Sequence, residues 1–285
     1  MIQTTDTTRA VDAAADADPI DVGAATRRAR RRASRTVRLC QIGLLGALML
    51  LWQVASTRQW VAPVLAKSPS QVWDYLHEAG SSGELWHHTS ATMKAVLVAF
   101  VLAGIVGVIA GIALGLLPRT ERVVSPFLDA LNSMPRIALA PVFIIYFGIN
   151  TSAKVALAFS VVVFMVMSAA RAGVQSTDAE LVRMSTVLGA SKPQMFRKVL
   201  LPVAVPAMFA GLRLGLIYSL LAVVASEILA SRDGLGQLIA RYSGSFRLEG
   251  VYGILLVLGV LAMVLNQVMV AVERRILRWK PPTTR

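Results

Sequence analysis

Arg213 and Glu227 are the residues whose types and positions point most directly to chemistry. Both are ionisable, and both fall within one long apolar run at about 203–229. Burying a charge in lipid is expensive, so such a residue marks either a solute path or a structural pairing. They lie 14 positions apart, about 21 Å of helix, and cannot pair within one straight helix. Glu227 is also close enough to the end of the run to be interfacial, and the sequence leaves these roles open.

Residues that hold metals or act as nucleophiles are scarce. His87-His88 is the only histidine pair among three His in the chain, and Cys40 is the single cysteine. Surface histidines are therefore the default interpretation, and we expect no metal site and no cofactor in this chain. The sequence also lacks a GxxxxGK[ST] phosphate loop, so any nucleotide must be bound by another polypeptide. Without paired carboxylates or a nucleophile–base set, a membrane enzyme is disfavoured.

The composition is that of a membrane protein that crosses the bilayer several times. The 285 residues are 55% hydrophobic and only 16% charged, with a mean hydropathy of +0.62. Soluble domains carry about 25% charged residues. The net charge of +13 could suggest nucleic-acid binding, but an uneven distribution of cations across a membrane explains it better, and we expect no nucleic-acid partner.

The predicted fold class is all-α, with six transmembrane helices. Residues 1–36 are predicted to be a disordered basic cytoplasmic tail, and residues 37–56 contain the first span. An extracytoplasmic segment at 57–86 precedes a transmembrane domain at 87–272 and a short tail at 273–285. That domain has five apolar runs, at about 91–117, 137–149, 153–170, 203–229 and 250–272.

Two of these runs carry further structural predictions. The run at 137–149 reaches only about 20 Å, less than the ~30 Å hydrocarbon core, so it should be shielded by other helices or line a cavity. In the run at 91–117, Gly107, Gly111 and Gly115 recur every four residues. Such a row allows another helix backbone to approach closely.

The distribution of Lys and Arg predicts the orientation. Six spans place both termini on one side of the membrane, and that side receives 21 of the 29 Lys and Arg residues, against seven on the other. Cytoplasmic segments carry the excess of cations. The sequence therefore predicts a plasma or inner membrane protein with both termini in the cytoplasm.

A polar, basic segment at residues 177–202, here called the coupling loop, lies on the same predicted side. Thr177 with Glu180, and Ser191 with Gln194, have the spacing of two capping boxes. Gly189 stands where the first helix should end, and Pro202 where the second should. The pattern predicts a hairpin of two short helices with one apolar face, available to a soluble partner or simply joining two spans.

The coupling loop resembles the cytoplasmic signature loop of binding-protein-dependent ABC importer permeases. The similarity extends over about residues 85–280 and is strongest to the subgroup for taurine, alkanesulfonates and nitrate. One departure is Arg183-Met184-Ser185, where the family usually has Glu-Ala-Ala. The matching positions are Glu180, Leu188, Gly189, Ala190, Ser191, Phe196, Leu201, Pro202 and Pro206, with Pro126, Pro135, Ala140-Pro141, Phe147-Gly148-Ile149, Gly211-Leu212-Arg213, Glu227-Ile228 and Gly234-Leu235-Gly236 outside the loop.

The resemblance implies a type I importer fold and three protein partners. These are a cytoplasmic ATPase dimer that binds ATP and Mg, an extracytoplasmic solute-binding protein, and a second permease copy, expected to be identical. The ATPase would bind the coupling loop at Glu180, Leu181, Arg183, Met184, Ser185, Leu188, Gly189, Ala190, Ser191, Phe196 and Pro202. The implied solute is a small anion, although related permeases carry vitamin precursors. A self-sufficient carrier or channel is the alternative, but inverted repeats and several midplane charges are not evident.

Overall fold

The computed structural model describes residues 46–58 and 67–278, together with the single positions 37, 40, 43 and 44. The chain divides into two compact units, residues 1–69 and 70–285. In the first, helix α1 spans Gly46–Thr57, and Trp52 donates a hydrogen bond to the carbonyl of Lys67 (3.0 Å). The predicted tail at 1–36 and most of the start of the first span lie outside the described residues, so the count of six spans stays a prediction.

The described part of the second unit consists of helices and their connections. Two short segments interrupt the α-helical pattern: a 3₁₀ turn at Arg136–Leu139 and a π turn at Phe196–Leu200. The helices are α2 (Pro69–Ser81), α3 (Glu84–Leu116), α4 (Pro118–Ser133), α5 (Ala140–Phe147), α6 (Thr151–Gln175), α7 (Ala179–Val187), α8 (Lys192–Leu229), α9 (Leu235–Gly244) and α10 (Leu248–Ile276).

Four of these helices are long and apolar enough to cross a bilayer: α3, α6, α8 and α10. The α4 and α5 segments are bent by 81° relative to each other and pass the same test only as a pair. The predicted short span at 137–149 is therefore part of a broken element. Met134 has extended backbone there, because a residue before proline avoids the helical region.

The glycine row of α3 packs against α6 as the spacing predicted. A Cβ added at Gly107 would lie 2.8 Å from the carbonyl oxygen of Val163, and one at Gly115 would lie 2.8 Å from the Cβ of Val174. A Cβ at Gly111 would overlap the carbonyl oxygen of Met167. The two backbones can approach this closely only because the row lacks side chains.

Helix α8 is one continuous element, and the prediction that a second hairpin helix ends at Pro202 is wrong. The Leu201 N–H bonds to the Phe196 carbonyl, five residues back, and so closes the π turn. This wider turn lies directly before Pro202, at the position where a proline ring would otherwise collide with the preceding helical turn. The proline is accommodated without breaking the helix.

The end of the unit opposite α7, here called the α9 end, has its own small core. Tyr75 of α2, Leu235, Leu238 and Tyr242 of α9, and Ile254 of α10 are buried together. The rings of Tyr75 and Tyr242 meet edge to face, with centroids 5.4 Å apart. The core fixes α9 across the ends of the spans and positions the polar cluster described below.

Candidate functional site

The coupling loop begins with a cap different from the predicted one. Asp178, not Thr177, is the N-cap of α7, and its carboxylate accepts a hydrogen bond from the backbone N–H of Glu180 (2.8 Å). The Thr177 hydroxyl is buried, with no hydrogen-bond partner among the described residues. A carboxylate satisfies an unpaired N–H at a helix start and also interacts favourably with the helix dipole, so Asp178 takes the position.

Helix α7 ends as predicted at Gly189. The backbone φ of this glycine is 77°, a left-handed conformation that strains other residues. The Ala190 N–H bonds to the Ser185 carbonyl, and the Gly189 N–H bonds to the Thr186 carbonyl, the pattern of a Schellman motif. At the start of α8, Gln194 accepts a hydrogen bond from the Ser191 N–H (2.9 Å), one half of the predicted capping box.

The α7 part of the coupling loop carries an exposed apolar surface. Leu181 is 47% exposed, Met184 61%, Val187 88% and Leu188 84%. These exposed fractions are high for large apolar side chains that lie outside the predicted spans. Of the other predicted loop residues, Glu180, Arg183, Gly189 and Ser191 are exposed, while Ser185, Ala190, Phe196 and Pro202 are partly buried.

At the α9 end, Glu227 is the centre of a buried polar cluster. Its carboxylate is 3.0 Å from Nζ of Lys154 on α6, and it accepts hydrogen bonds from Thr92 of α3 (2.9 and 3.1 Å) and from the backbone N–H of Gly236 (3.0 Å). Glu227 is 1% exposed and Lys154 4%. A buried charge requires such compensation, and here two other spans, α3 and α6, provide it together with α9.

The loop between α8 and α9 belongs to the same cluster. The Lys154 ammonium also donates to the Asp233 carbonyl (2.5 Å), the His88 imidazole accepts from the Gly234 N–H (2.9 Å), and the Thr92 hydroxyl accepts from the Leu235 N–H (2.8 Å). Gly234 has φ 120°, and a Cβ there would collide with the Glu227 carboxylate. Close approach of the backbone to Glu227 therefore requires a glycine at position 234.

Arg213 lies apart from this cluster and is paired within the chain. Its Nη1 is 3.9 Å from Oε2 of Glu273 on α10, and its side chain is 44% exposed. Glu227 and Arg213 each have a partner on another helix, which is the structural pairing that the sequence left open as an alternative. A path role for either residue stays a prediction.

Two adjoining cavities, here called the α6–α8 groove, run along one side of α6 and α8. One is about 330 Å³ and reaches Tyr218 and Leu221; the other is about 340 Å³ and reaches Ala172 and Ala207. Both include Asn132, so the bend between α4 and α5 borders the groove. Of the predicted run at 137–149, Ile137 lines one of these cavities, whereas Ile145 and Tyr146 are largely exposed, so the cavity-lining role of the whole run stays a prediction.

Arg136 occupies this bend, and the sequence argument did not select it. It is one of the 21 Lys and Arg residues that the charge distribution places on the predicted cytoplasmic side, yet its Nη1 donates to the Ser160 carbonyl (2.7 Å) in the middle of α6. Lys154 is one of the seven that the distribution places on the other side, yet its side chain is buried beside Glu227. The order of the spans could have indicated this pairing. The spans α6 and α8 follow each other in the chain and are antiparallel, so Lys154 near the start of α6 lies beside Glu227 near the end of α8.

Within the described parts of the chain, no group of three or more His, Cys, Asp or Glu lies close enough to hold a metal ion. His87 contacts Asp233 at 3.2 Å and is exposed. The described residues therefore contain a buried polar cluster at the α9 end, an exposed apolar surface on α7, and a groove along α6 and α8. With four helices long and apolar enough to cross a bilayer, these features are those of a helical membrane subunit.

The family model for the binding-protein-dependent transport system inner membrane component matches residues 103–278. The chain belongs to this family and is therefore a permease of an ABC importer for small solutes. It is 32% identical over 251 residues to the taurine transport system permease protein TauC of Escherichia coli, covering 86% of this chain and 91% of TauC. It is 33% identical over 242 residues to the riboflavin transport system permease protein RibX of Chloroflexus aurantiacus, with coverages of 84% and 90%.

A solved structure supports the fold. An inward-facing form of the MetNI methionine ABC transporter superposes with a TM-score of 0.56 at 20% identity, covering 65% of this chain and 94% of the matched chain. At this identity the likeness concerns the fold alone. It agrees with an all-helical type I permease architecture for the second unit.

Proposed function

We propose that this chain forms the translocation path of an ATP-driven importer for a small anionic solute such as an alkanesulfonate, taurine or nitrate. The observation that carries the proposal is the exposed apolar surface of α7, which is capped at both ends and joined by a short turn at Gly189 to the spanning helix α8. A loop that only joined two spans would gain nothing from exposing Met184 and Leu188. An ATPase groove would cover them.

The coupling loop can act as a lever because of how α8 is built. The helix runs from Lys192 to Leu229 without a break, about 57 Å at 1.5 Å per residue. At its far end Glu227 joins α8 to α3 and α6. A displacement of α7 by the ATPase would therefore move three spans together and open or close the α6–α8 groove by rigid-body motion.

The proposal includes the partners and the orientation. Two ATPase subunits that bind ATP and Mg would dock on the coupling loops of two identical permease copies in the cytoplasm. A solute-binding protein would dock at the α9 end outside the membrane. The excess of Lys and Arg on the α7 side supports this orientation.

The solute class rests on relatives with different printed specificities. Besides TauC, a putative aliphatic sulfonates transport permease of Bacillus subtilis is 28% identical over 240 residues. RibX and a formylaminopyrimidine transport permease are similar at 33% and 27% identity. A vitamin precursor is therefore the second candidate solute. Uptake by membrane vesicles of labelled ethanesulfonate, taurine and nitrate, compared with riboflavin, separates the two.

Docking is tested by co-purification of an ATPase subunit with the tagged chain. Leu188→Glu should abolish co-purification while membrane insertion remains, because a charge would be buried in an apolar contact. Thr186→Glu adds the same charge two residues earlier, away from the Met184–Leu188 face, and should retain the ATPase. Equal retention by both variants would contradict docking through this surface.

Coupling is tested separately at Gly189. Gly189→Val would strain a backbone with φ 77°, so the loop should lose its shape and uptake should stop. Gly244→Val, at a position with open space around it, should transport normally. Normal uptake by Gly189→Val would contradict the lever, and uptake by the purified chain alone, without an ATPase, would favour a self-sufficient carrier.

A further inference from the structure

Arg136 is a cation that has no carboxylate partner within the described part of the chain. Its Nη1 donates to the carbonyls of Ser160 (2.7 Å) and Val161 (3.2 Å), and its Nη2 to Asn132 (2.9 Å) and the carbonyl of Leu131 (3.4 Å). These acceptors are neutral, so they satisfy hydrogen bonds without cancelling the charge. A guanidinium stays protonated in proteins, and the positive charge therefore persists.

The position of Arg136 is deep with respect to the spans. Ser160 is the tenth residue of α6, about 14 Å along the helix axis from its start. The guanidinium also lies 4.1 Å from the centroid of the Phe164 ring, which fixes its plane against α6. An uncompensated charge at this depth is expensive and marks a functional position by default.

The two cavities of the groove that Arg136 lines have no other charged side chain within the described parts of the chain, whereas a smaller cavity that shares Asn132, Phe164 and Ser168 with them is lined by Asp129 and Arg171. Among the described residues that border its two cavities, Arg136 is the one charged side chain; the polar ones are Asn132, Ser168 and Tyr218. Tyr218 is 43% exposed. A mostly apolar pocket with a few convergent polar groups is the usual form of a small-molecule site.

From these observations we propose that Arg136 is the residue that binds the anionic group of the solute as it passes along the α6–α8 groove, with Tyr218 lining the same cavity. The inference rests on the proposed import function and names the residue that selects the charge of the solute. The guanidinium Nε–H has no acceptor among the described residues, and a planar, oriented guanidinium suits sulfonate or nitrate oxygens.

The alternative is that Arg136 has only a structural role, here called a strut, and holds the bend between α4 and α5 against α6. The two roles differ in what depends on the charge. A strut requires hydrogen bonds to the Ser160 and Val161 carbonyls, whereas an anion site requires a positive potential in the groove. An experiment that reports the potential separates them, and it need not involve ATP, a binding protein or an identified solute.

The test uses one cysteine as a probe in the groove. Cys40→Ser removes the native thiol, and Tyr218→Cys or Leu221→Cys introduces a thiol at the groove wall of the full chain. Permeabilised membrane vesicles are treated with two methanethiosulfonates of similar size, one bearing a sulfonate and one a trimethylammonium group. The ratio of the two modification rates reports the local charge.

With Arg136 present, the cysteine should react faster with the sulfonate reagent than with the trimethylammonium reagent. Arg136→Gln should lower the sulfonate-to-ammonium rate ratio about tenfold, as expected for one charge at close range in a partly buried site, while Arg136→Lys should retain most of it. Arg247→Gln, an outer-loop cation removed as a control, should leave the ratio unchanged. The same ratio in wild type and Arg136→Gln, or no modification at either cysteine, would overturn the proposal.

Transport provides the second measurement. In the complete complex, Arg136→Gln should lower the maximal uptake of the anion at least tenfold while ATP hydrolysis stimulated by the binding protein persists. Loss of both activities would indicate a strut. If wild type takes up riboflavin and no anion, the anionic solute of the proposed function is wrong, whereas the rate ratio still tests the charge of the groove.

Discussion

Glu227 and Lys154 form a buried ion pair that joins α8 to α6, with 3.0 Å between Oε1 and Nζ. Their side chains are 0% and 5% exposed. Thr92 of α3 and the Gly236 N–H complete the coordination of the carboxylate. The pair and its hydrogen-bond partners therefore hold three spans and the α9 loop together. Glu227 lies at the end of α8 that is opposite the coupling loop.

The first prediction concerns the removal of one partner of this pair. Lys154→Met leaves the Glu227 carboxylate buried with only neutral donors, and we expect a loss of about 3–5 kcal/mol in the free energy of unfolding. Thermal unfolding in a mild detergent measures it as a lower Tm. The double variant Lys154→Met with Glu227→Gln removes the unpaired charge and should recover a large part of the loss.

An exposed ion pair at the same end provides the comparison. Arg241 pairs with Glu84, and their side chains are 46% and 34% exposed. The hydrogen bond to Glu84 raises the pKa of Arg241, so the guanidinium is charged at neutral pH. Arg241→Gln should lower the free energy of unfolding by less than about 1 kcal/mol. Equal Tm values for Lys154→Met and wild type would show that the buried pair contributes no stability.

The second prediction concerns the loop glycine beside Glu227. Gly234→Ala adds a Cβ at φ 120° that would overlap the Glu227 carboxylate, and we expect a loss of about 2 kcal/mol from strain and displacement. Gly244→Ala lies in open space at the end of α9 and should be neutral or slightly stabilising. Unfolding followed by tryptophan fluorescence compares them, and an unchanged Gly234→Ala would contradict the close approach.

The apolar runs and turn residues were sufficient to predict most of the elements. Hydrophobic length located α3, α6, α8 and α10, and the unusual cost of a left-handed residue located the end of α7 at Gly189. Such features depend on a few neighbouring residues, so they can be recognised without tertiary information.

What the sequence did not predict depends on contacts between distant residues. Lys154 and Arg136 stand near the boundaries of apolar runs, where a charge is ordinarily exposed. Lys154 is buried because α6 lies beside α8, and Arg136 is partly buried because of the 81° bend before α5. Pro202 failed as a helix end for a different reason, since the π turn before it is a backbone adjustment that residue types alone did not indicate.

The third prediction tests the glycine row of α3. Gly111→Ala places a methyl group against the Met167 carbonyl of α6, and overpacking of this kind costs about 1–3 kcal/mol. Gly259→Ala, in the spanning helix α10, has nothing within 4 Å of the added Cβ and should be neutral or better. The Tm values of the two variants in detergent test this prediction. Similar Tm values would show that α3 and α6 can move apart without loss of stability.

The fourth prediction concerns Arg213, for which the sequence left a path role and a structural pairing open. Arg213 lies 3.9 Å from Glu273, and the two side chains are 44% and 27% exposed. A long, partly exposed pair contributes little, so Arg213→Gln and Glu273→Gln should each lower stability by about 1 kcal/mol or less. Because the residues bordering the α6–α8 groove do not include Arg213, uptake should remain near the wild-type rate. The double variant should lose less stability than the sum of the losses of the two single variants, because the two charges interact. Uptake lost by Arg213→Gln at normal stability, and retained by Glu273→Gln, would instead place Arg213 in the solute path.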